Sequence, residues 1–136
     1  MRTEFVLFDS SILIDLWRAA KHRDRIHTLR GNVCVSTVVF AELRRCATVA
    51  VERNALEVLQ KNHRILSPTE KNWIESGRLL AKIRVDHGFY ASKLRDLHFD
   101  VLIALTARSH GATLITSNRS DFEFILSYRD SELELG

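Results

Sequence analysis

Four short aliphatic runs, FVLF, VCVS, HRILS and ATLIT, recur along the chain with helix-patterned stretches between them, and this alternation restricts the fold more than any other feature. Short runs with little polar alternation read as strands buried on both faces. SILIDLWRAA has a rich apolar face, with Ser10 or Ser11 to cap it. RDRIHTLR predicts a second short helix, broken by Gly31 and Asn32. TVVFAELRRCA begins behind Ser36 or Thr37, and VAVERNALEVLQKN continues as helix after a bend. Thr69 precedes a long helical region in which Trp73, Leu79, Leu80 and Ile83 form an apolar stripe, with Gly88 near its end. LRDLHFDVLIALTARSH reads as another helix, closed by Gly111. The tail, FEFILSYRDSELELG, predicts a short last strand or a turn. Together these predict an α/β fold: a short, mostly parallel sheet of four or five strands between two helical layers. In such sheets ligands bind beyond the carboxyl ends of the strands, where the strand order switches.

The 136 residues suit one domain, 1–136, and a lone Pro68 with five glycines leaves little room for a linker. The apolar N-terminus carries Glu4, Asp9 and Asp15, unlike the uncharged core of a signal peptide, and no segment has the uncharged length to span a bilayer. Cys34 lies in VCV and Cys46 in a predicted helix, so both are expected as buried free thiols in a cytosolic protein. The six histidines show no zinc-ligand spacing.

The net charge of +3 is uneven: residues 17–30 hold five basic and one acidic residue, whereas residues 1–16 hold one basic and three acidic. A basic excess in the first half attracts polyanions, although solvated helix faces look similar.

Against this background several acids fall at telling places. Asp9 ends the first strand between VLF and ILI, where a charge is costly to bury without a partner; a helix N-cap is the plain alternative. Glu42 lies inside TVVFAELRR among apolar neighbours, or else pairs with Arg45. Asp100 enters the apolar VLIAL of a late helix, or else pairs with a nearby base. Asp96 shares its face and reads as a capping acid. Asp121 follows the fourth strand with Thr116 and Asn118, a grouping that also makes ordinary turns. If Asp9, Glu42, Asp100 and Asp121 converge, their like charges raise one another's pKa, and a divalent cation is the usual compensation. Carboxylates suit hard ions such as Mg²⁺ or Mn²⁺. Such a cluster beside basic helices is what phosphodiester hydrolysis needs: the bases hold the backbone and the metal activates a water.

The elements FVLFDSSILIDL, VSTVVFAELRR, LHFDVLIALTARSHGATLITSN and SNRSDF resemble those of PIN-domain proteins, in particular VapC-type toxins of toxin–antitoxin pairs, over nearly the whole chain. The resemblance implies a PIN-like three-layer α/β/α sandwich and a cytoplasmic Mg²⁺- or Mn²⁺-dependent endoribonuclease acting on tRNA, rRNA or mRNA. It implies catalytic roles for Asp9, Glu42, Asp100, Asp121, Asn118 and Thr116, the four acids being the metal ligands. Thr116 matches the hydroxyl that orients the first acid and the water, and Ser10 the hydroxyl residue beside that acid. Ser11 stands where the family often has asparagine, and Asn118 where some members have aspartate, which favours one metal over two. The implied partners are RNA, a cognate antitoxin that covers the acidic site, and a second copy in a homodimer. Operator DNA is reached only through the antitoxin, and no membrane is involved. The alternatives are a PIN-type RNA-processing nuclease without an antitoxin, and an inactive RNA- or protein-binding module. A phosphoacceptor domain fits poorly: it wants paired acids after the first strand and a late lysine, and none follows Lys93.

Among the remaining residues, Trp17 and Trp73 read as packing residues, and His22, His27 and His98 as surface or groove residues. Arg44 and Arg45, and the run Arg78, Lys82 and Arg84, read equally as phosphate contacts or as solvated faces.

Overall fold

The computed structural model describes residues 5–19 and 32–127. Along the chain run β1 (Phe5–Phe8), α1 (Ser10–Ala19), β2 (Asn32–Ser36), α2 (Thr37–Cys46), α3 (Ala50–Asn62), β3 (Arg64–Leu66), α4 (Glu70–His87), α5 (Ala91–Ser109), β4 (Ala112–Ile115) and α6 (Arg119–Ser127). The four strands form one parallel sheet in the order β3-β2-β1-β4, flanked by helices in an α/β/α arrangement. All four predicted strands are present. The helix expected at RDRIHTLR and the end of the tail lie outside the described residues.

Central β1 carries Val6, Leu7 and Phe8, all buried, as a strand covered on both faces must be. Phe8 pairs with Val35 of β2 on one side and with Ile115 of β4 on the other. From β1 the chain builds outward through β2 and β3, then returns to the far side of β1 as β4. The switch in strand order is therefore between β1 and β4, and Asp9 is the first residue beyond it.

Helix ends follow local chemistry. Asp9 caps α1, its Oδ1 accepting the Ile12 N–H at 3.3 Å, so the plain alternative for Asp9 holds and neither Ser10 nor Ser11 is the cap. The Ser36 hydroxyl accepts from the Val38 N–H at 3.0 Å and starts α2. Thr69 and Asn72 form a reciprocal capping box at the start of α4. Gly88, at φ 62°, ends α4 in the left-handed region, with its N–H on the Arg84 carbonyl. Gly111, at φ 64°, closes the turn from α5 into β4.

The core is built around α5. Residues 101–107 are buried consecutively, so this helix is covered on every side at its centre. Thr106 is tolerated there because its hydroxyl donates to the Leu102 carbonyl at 2.7 Å. Two polar links tie α4 to α5: Asn72 Nδ2 donates to Ser109 Oγ at 2.9 Å, and Ser76 Oγ lies 3.0 Å from His98 Nε2.

Four local expectations change. The bend after α2 is a break at residues 47–49. The start of the tail is helical: Phe122 and Ile125, three apart, are both fully buried while Glu123 is exposed, a helical spacing hidden by strand-prone composition. Cys34 is buried but Cys46 is exposed, because it is the last residue of α2 and faces away from the sheet. Trp73 is 52% exposed, since Asn72 and Ser76 take the inward face of that turn, and its ring meets His98 edge-on. The side chain of Trp17, with His22 and His27, lies outside the described residues.

Candidate active site

The loop after β4 and the start of α1 are built to hold one carboxylate. Asp9 is buried, and its N–H extends the β1–β4 ladder by donating to the Ile115 carbonyl at 3.2 Å. The Ser11 hydroxyl donates to Asp9 Oδ1 at 2.6 Å, and the Thr116 hydroxyl donates to Oδ2 at 2.5 Å. Each hydroxyl is itself fixed by the LITSN loop: the Ser117 N–H donates to Ser11 Oγ at 3.1 Å, and the Asn118 N–H to Thr116 Oγ1 at 2.8 Å. A polar loop behind an apolar strand thus becomes an orienting frame for the first acid. Burial raises the Asp9 pKa, and the donated hydrogen bonds pull it back only in part.

Asn118 precedes α6 and its Nδ2 donates to Asp121 Oδ2 at 2.8 Å, in the first turn of that helix. The turn reading of this stretch holds, and the same local hydrogen bond orients Asp121.

The other two acids have no such frame. Glu42 is half-buried on α2, and its Oε1 is buried without a hydrogen-bond partner. Burial, followed by the charge of Asp9, raises its pKa to about 7, with Arg45 and the Ser10 hydroxyl opposing. Arg45 lies over the Phe99 ring, 5.4 Å from its centroid, instead of forming the ion pair that the sequence allowed. Asp100, at the edge of the buried stretch of α5, is pushed up to about 8 by burial first and then by Glu42, Asp121, Asp9 and Asp96. These mutual influences place all four sequence-nominated acids in one electrostatic neighbourhood beyond the β1–β4 switch. Asp96 is the unanticipated fifth member. Sitting in the second turn of α5, it caps nothing and adds to the field on Glu42 and Asp100. Its i,i+4 spacing from Asp100 was the available signal. His98 is not part of this group: it bonds Ser76, and burial lowers its pKa.

The donor set suits a hard divalent cation in kind. All the candidates are carboxylates, one buried oxygen is unsatisfied, and two pKa values are raised by burial and then by neighbouring acids. As placed, no three Asp, Glu, His or Cys side chains among the described residues are close enough to hold a metal ion.

The model of the PIN domain family matches residues 6–124. Solved structures of similar fold include VapBC-1 from nontypeable Haemophilus influenzae, at 23% identity, covering 90% of this chain and 93% of that one with a TM-score of 0.67. VapBC2 from Rickettsia felis, bound to a DNA fragment from their promoter, matches at 19% identity over 89% and 92% of the two chains, TM-score 0.67. Mycobacterium tuberculosis VapC20, a sarcin–ricin loop cleaving toxin, matches at 17% identity over 88% and 94%, TM-score 0.63. No curated protein matches the chain significantly.

Proposed function

The chain belongs to the PIN domain family, and from that premise we propose that it is a Mg²⁺- or Mn²⁺-dependent endoribonuclease, the toxin of a toxin–antitoxin pair, working as one domain over residues 1–136. The observation that carries the reading is the pair Glu42 and Asp100. Two carboxyls are raised to about 7 and about 8, by burial first and then by the negative charges of neighbouring acids, and one of them, Glu42, has a buried Oε1 without a hydrogen-bond partner. A fold keeps such a destabilised pair for a use, and neutralisation by a cation is the simplest.

In this reading Asp9, Glu42, Asp100 and Asp121 hold the cation, and Thr116 and Asn118 support the acids. The chemistry a bound divalent cation supplies here is charge neutralisation and activation of water for attack on a phosphodiester. The protein's own contribution is orientation. Ser11 and Thr116 each donate a hydrogen bond to Asp9, so both of its oxygens are fixed as acceptors. Asn118 does the same for Asp121. The substrate in this account is cellular RNA, met in the cytoplasm. Two features support the toxin reading: the fold shared with VapBC structures, and the likeness to VapC20, a sarcin–ricin loop cleaving toxin. Among the described residues no helix is long and apolar enough to cross a membrane. An antitoxin partner and a homodimer complete the proposal.

The test is cleavage of labelled tRNA and rRNA by the purified protein with EDTA, Mg²⁺ or Mn²⁺, beside Asp100→Asn. Discrete fragments that require metal and vanish in the variant are expected. RNA binding without cleavage under every condition would favour a binding module instead.

A further inference from the structure

Resting on the nuclease reading above, we infer that Arg45, seated on Phe99, forms a binding site for an RNA phosphate beside the acidic cluster. A group of carboxylates repels the polyanion it has to receive, so a productive site needs a cation fixed close to them. Arg45 meets that need through its position in the fold. It follows Glu42 by three residues on α2, and Phe99 immediately precedes Asp100 on α5. Each of the two helices that supplies an unframed acid therefore supplies half of the Arg45–Phe99 pair.

The contact itself suits this task. The Arg45 Cζ lies 5.4 Å from the Phe99 ring centroid, within cation–π range. A guanidinium covered on one face by a ring keeps its in-plane N–H donors for oxygen, and its planar fork matches phosphate. Arg45 is exposed, so a backbone phosphate can reach it. Its charge acts on Glu42, while Glu42 Oε1 keeps no hydrogen-bond partner. The arginine is thus near the acid without being consumed by it.

Arg44 provides the internal contrast. It is equally charged, exposed and adjacent in sequence, but it lies on the other flank of α2, lining a cleft with Phe40, Arg53 and Glu57. A general charge effect predicts equal losses from the two arginines, whereas a built phosphate site predicts unequal ones.

The experiment is fluorescence anisotropy of a short fluorescein-labelled single-stranded RNA with the full chain in EDTA, at several salt concentrations. Wild type is compared with Arg44→Ala, Arg45→Ala, Arg45→Lys and Phe99→Leu. Arg45→Ala is expected to weaken binding roughly ten-fold and to reduce the salt slope by about 0.7, one phosphate contact on a single strand. Arg44→Ala should change affinity by less than about two-fold at moderate salt, where exposed charges are screened. Arg45→Lys should keep the slope but lose part of the affinity, and Phe99→Leu should fall between wild type and Arg45→Ala. In cleavage assays KM should rise more than kcat falls for Arg45→Ala. Equal effects of Arg44→Ala and Arg45→Ala, or no effect of Arg45→Ala, would overturn the inference while leaving the nuclease reading standing. Wild type that binds no RNA in EDTA would overturn the inference, while the nuclease reading falls only if metal-dependent cleavage is also absent.

Discussion

Asp9 and Asp100 are both carboxylates at the same end of the sheet, and the fold treats them in opposite ways. Asp9 accepts from two hydroxyls and one backbone N–H, and those hydroxyls are braced by the backbone of the next loop. Asp100 meets mainly burial and other negative charges, and shares this condition with Glu42. The first acid is part of the fold's own wiring, because it caps α1 and joins β1 to β4. The second pair has weaker support: Arg45 and the Ser10 hydroxyl favour the Glu42 carboxylate, but burial and the charge of Asp9 outweigh them. A site can therefore combine a structurally fixed anchor with acids held ready for a ligand. The two kinds are told apart by what happens when each is removed.

The largest expected effect is on Asp9. Asp9→Ala leaves two hydroxyls and an N–H without their acceptor, at roughly 1–3 kcal/mol for each abandoned group, part of which is regained by deleting a buried charge. A net loss of about 3 kcal/mol is expected from urea denaturation without divalent cations. Asp100→Asn should move the other way, since it removes repulsion and keeps the shape. At about pH 8 a gain of roughly 2 kcal/mol is expected, smaller than the full shift implies because the group still meets solvent. Destabilisation by both substitutions would erase the contrast between the two acids.

The pH dependence sharpens the same comparison. A carboxyl raised from its ordinary 3.8 to about 8 binds its proton more tightly in the folded chain. The native state then holds more protons than the unfolded state between those values. Metal-free stability should therefore fall as pH rises from about 4 towards 8 and level off above. Glu42, raised to about 7, adds to the same slope. Denaturation midpoints followed across that range should show a shallower decline in Asp100→Asn, and a wild type with no decline would remove the repulsion from the account.

The smallest effect is expected at the brace. Thr116→Val keeps the volume and removes one donor to Asp9, costing about 1 kcal/mol in the same denaturation assay. If it costs nothing, the loop does not hold the acid.

Much of this was legible in the chain, for reasons that differ by residue. The strands showed because their inner residues are aliphatic: central β1 is buried along most of its length, and β2, β3 and β4 each bury part of theirs. The four acids each had a plain alternative, and what singled them out was their joint placement after strands or in the helices beside them. The helix at Arg119–Ser127 did not show, because its buried residues Phe122 and Ile125 sit in a strand-prone composition whose period is settled only by what the helix packs against. Cys46 and Trp73 were misjudged because composition says how apolar a residue is, not which face of its helix meets the sheet. The division between Asp9 and Asp100 was hidden for a similar reason. Thr116 and Ser117 lie more than a hundred residues from Asp9 and Ser11, and the β1–β4 pairing brings them to one carboxylate.

The most direct measurement is titration calorimetry of Mn²⁺ into the purified wild-type chain near neutral pH, with Glu42→Gln and Asp100→Asn alongside. The account predicts saturable binding to wild type and its loss in both variants, each of which stays folded. Absence of binding to wild type, or binding that is unchanged when Glu42 and Asp100 are both neutralised, would contradict the claim that this pair is kept for a cation.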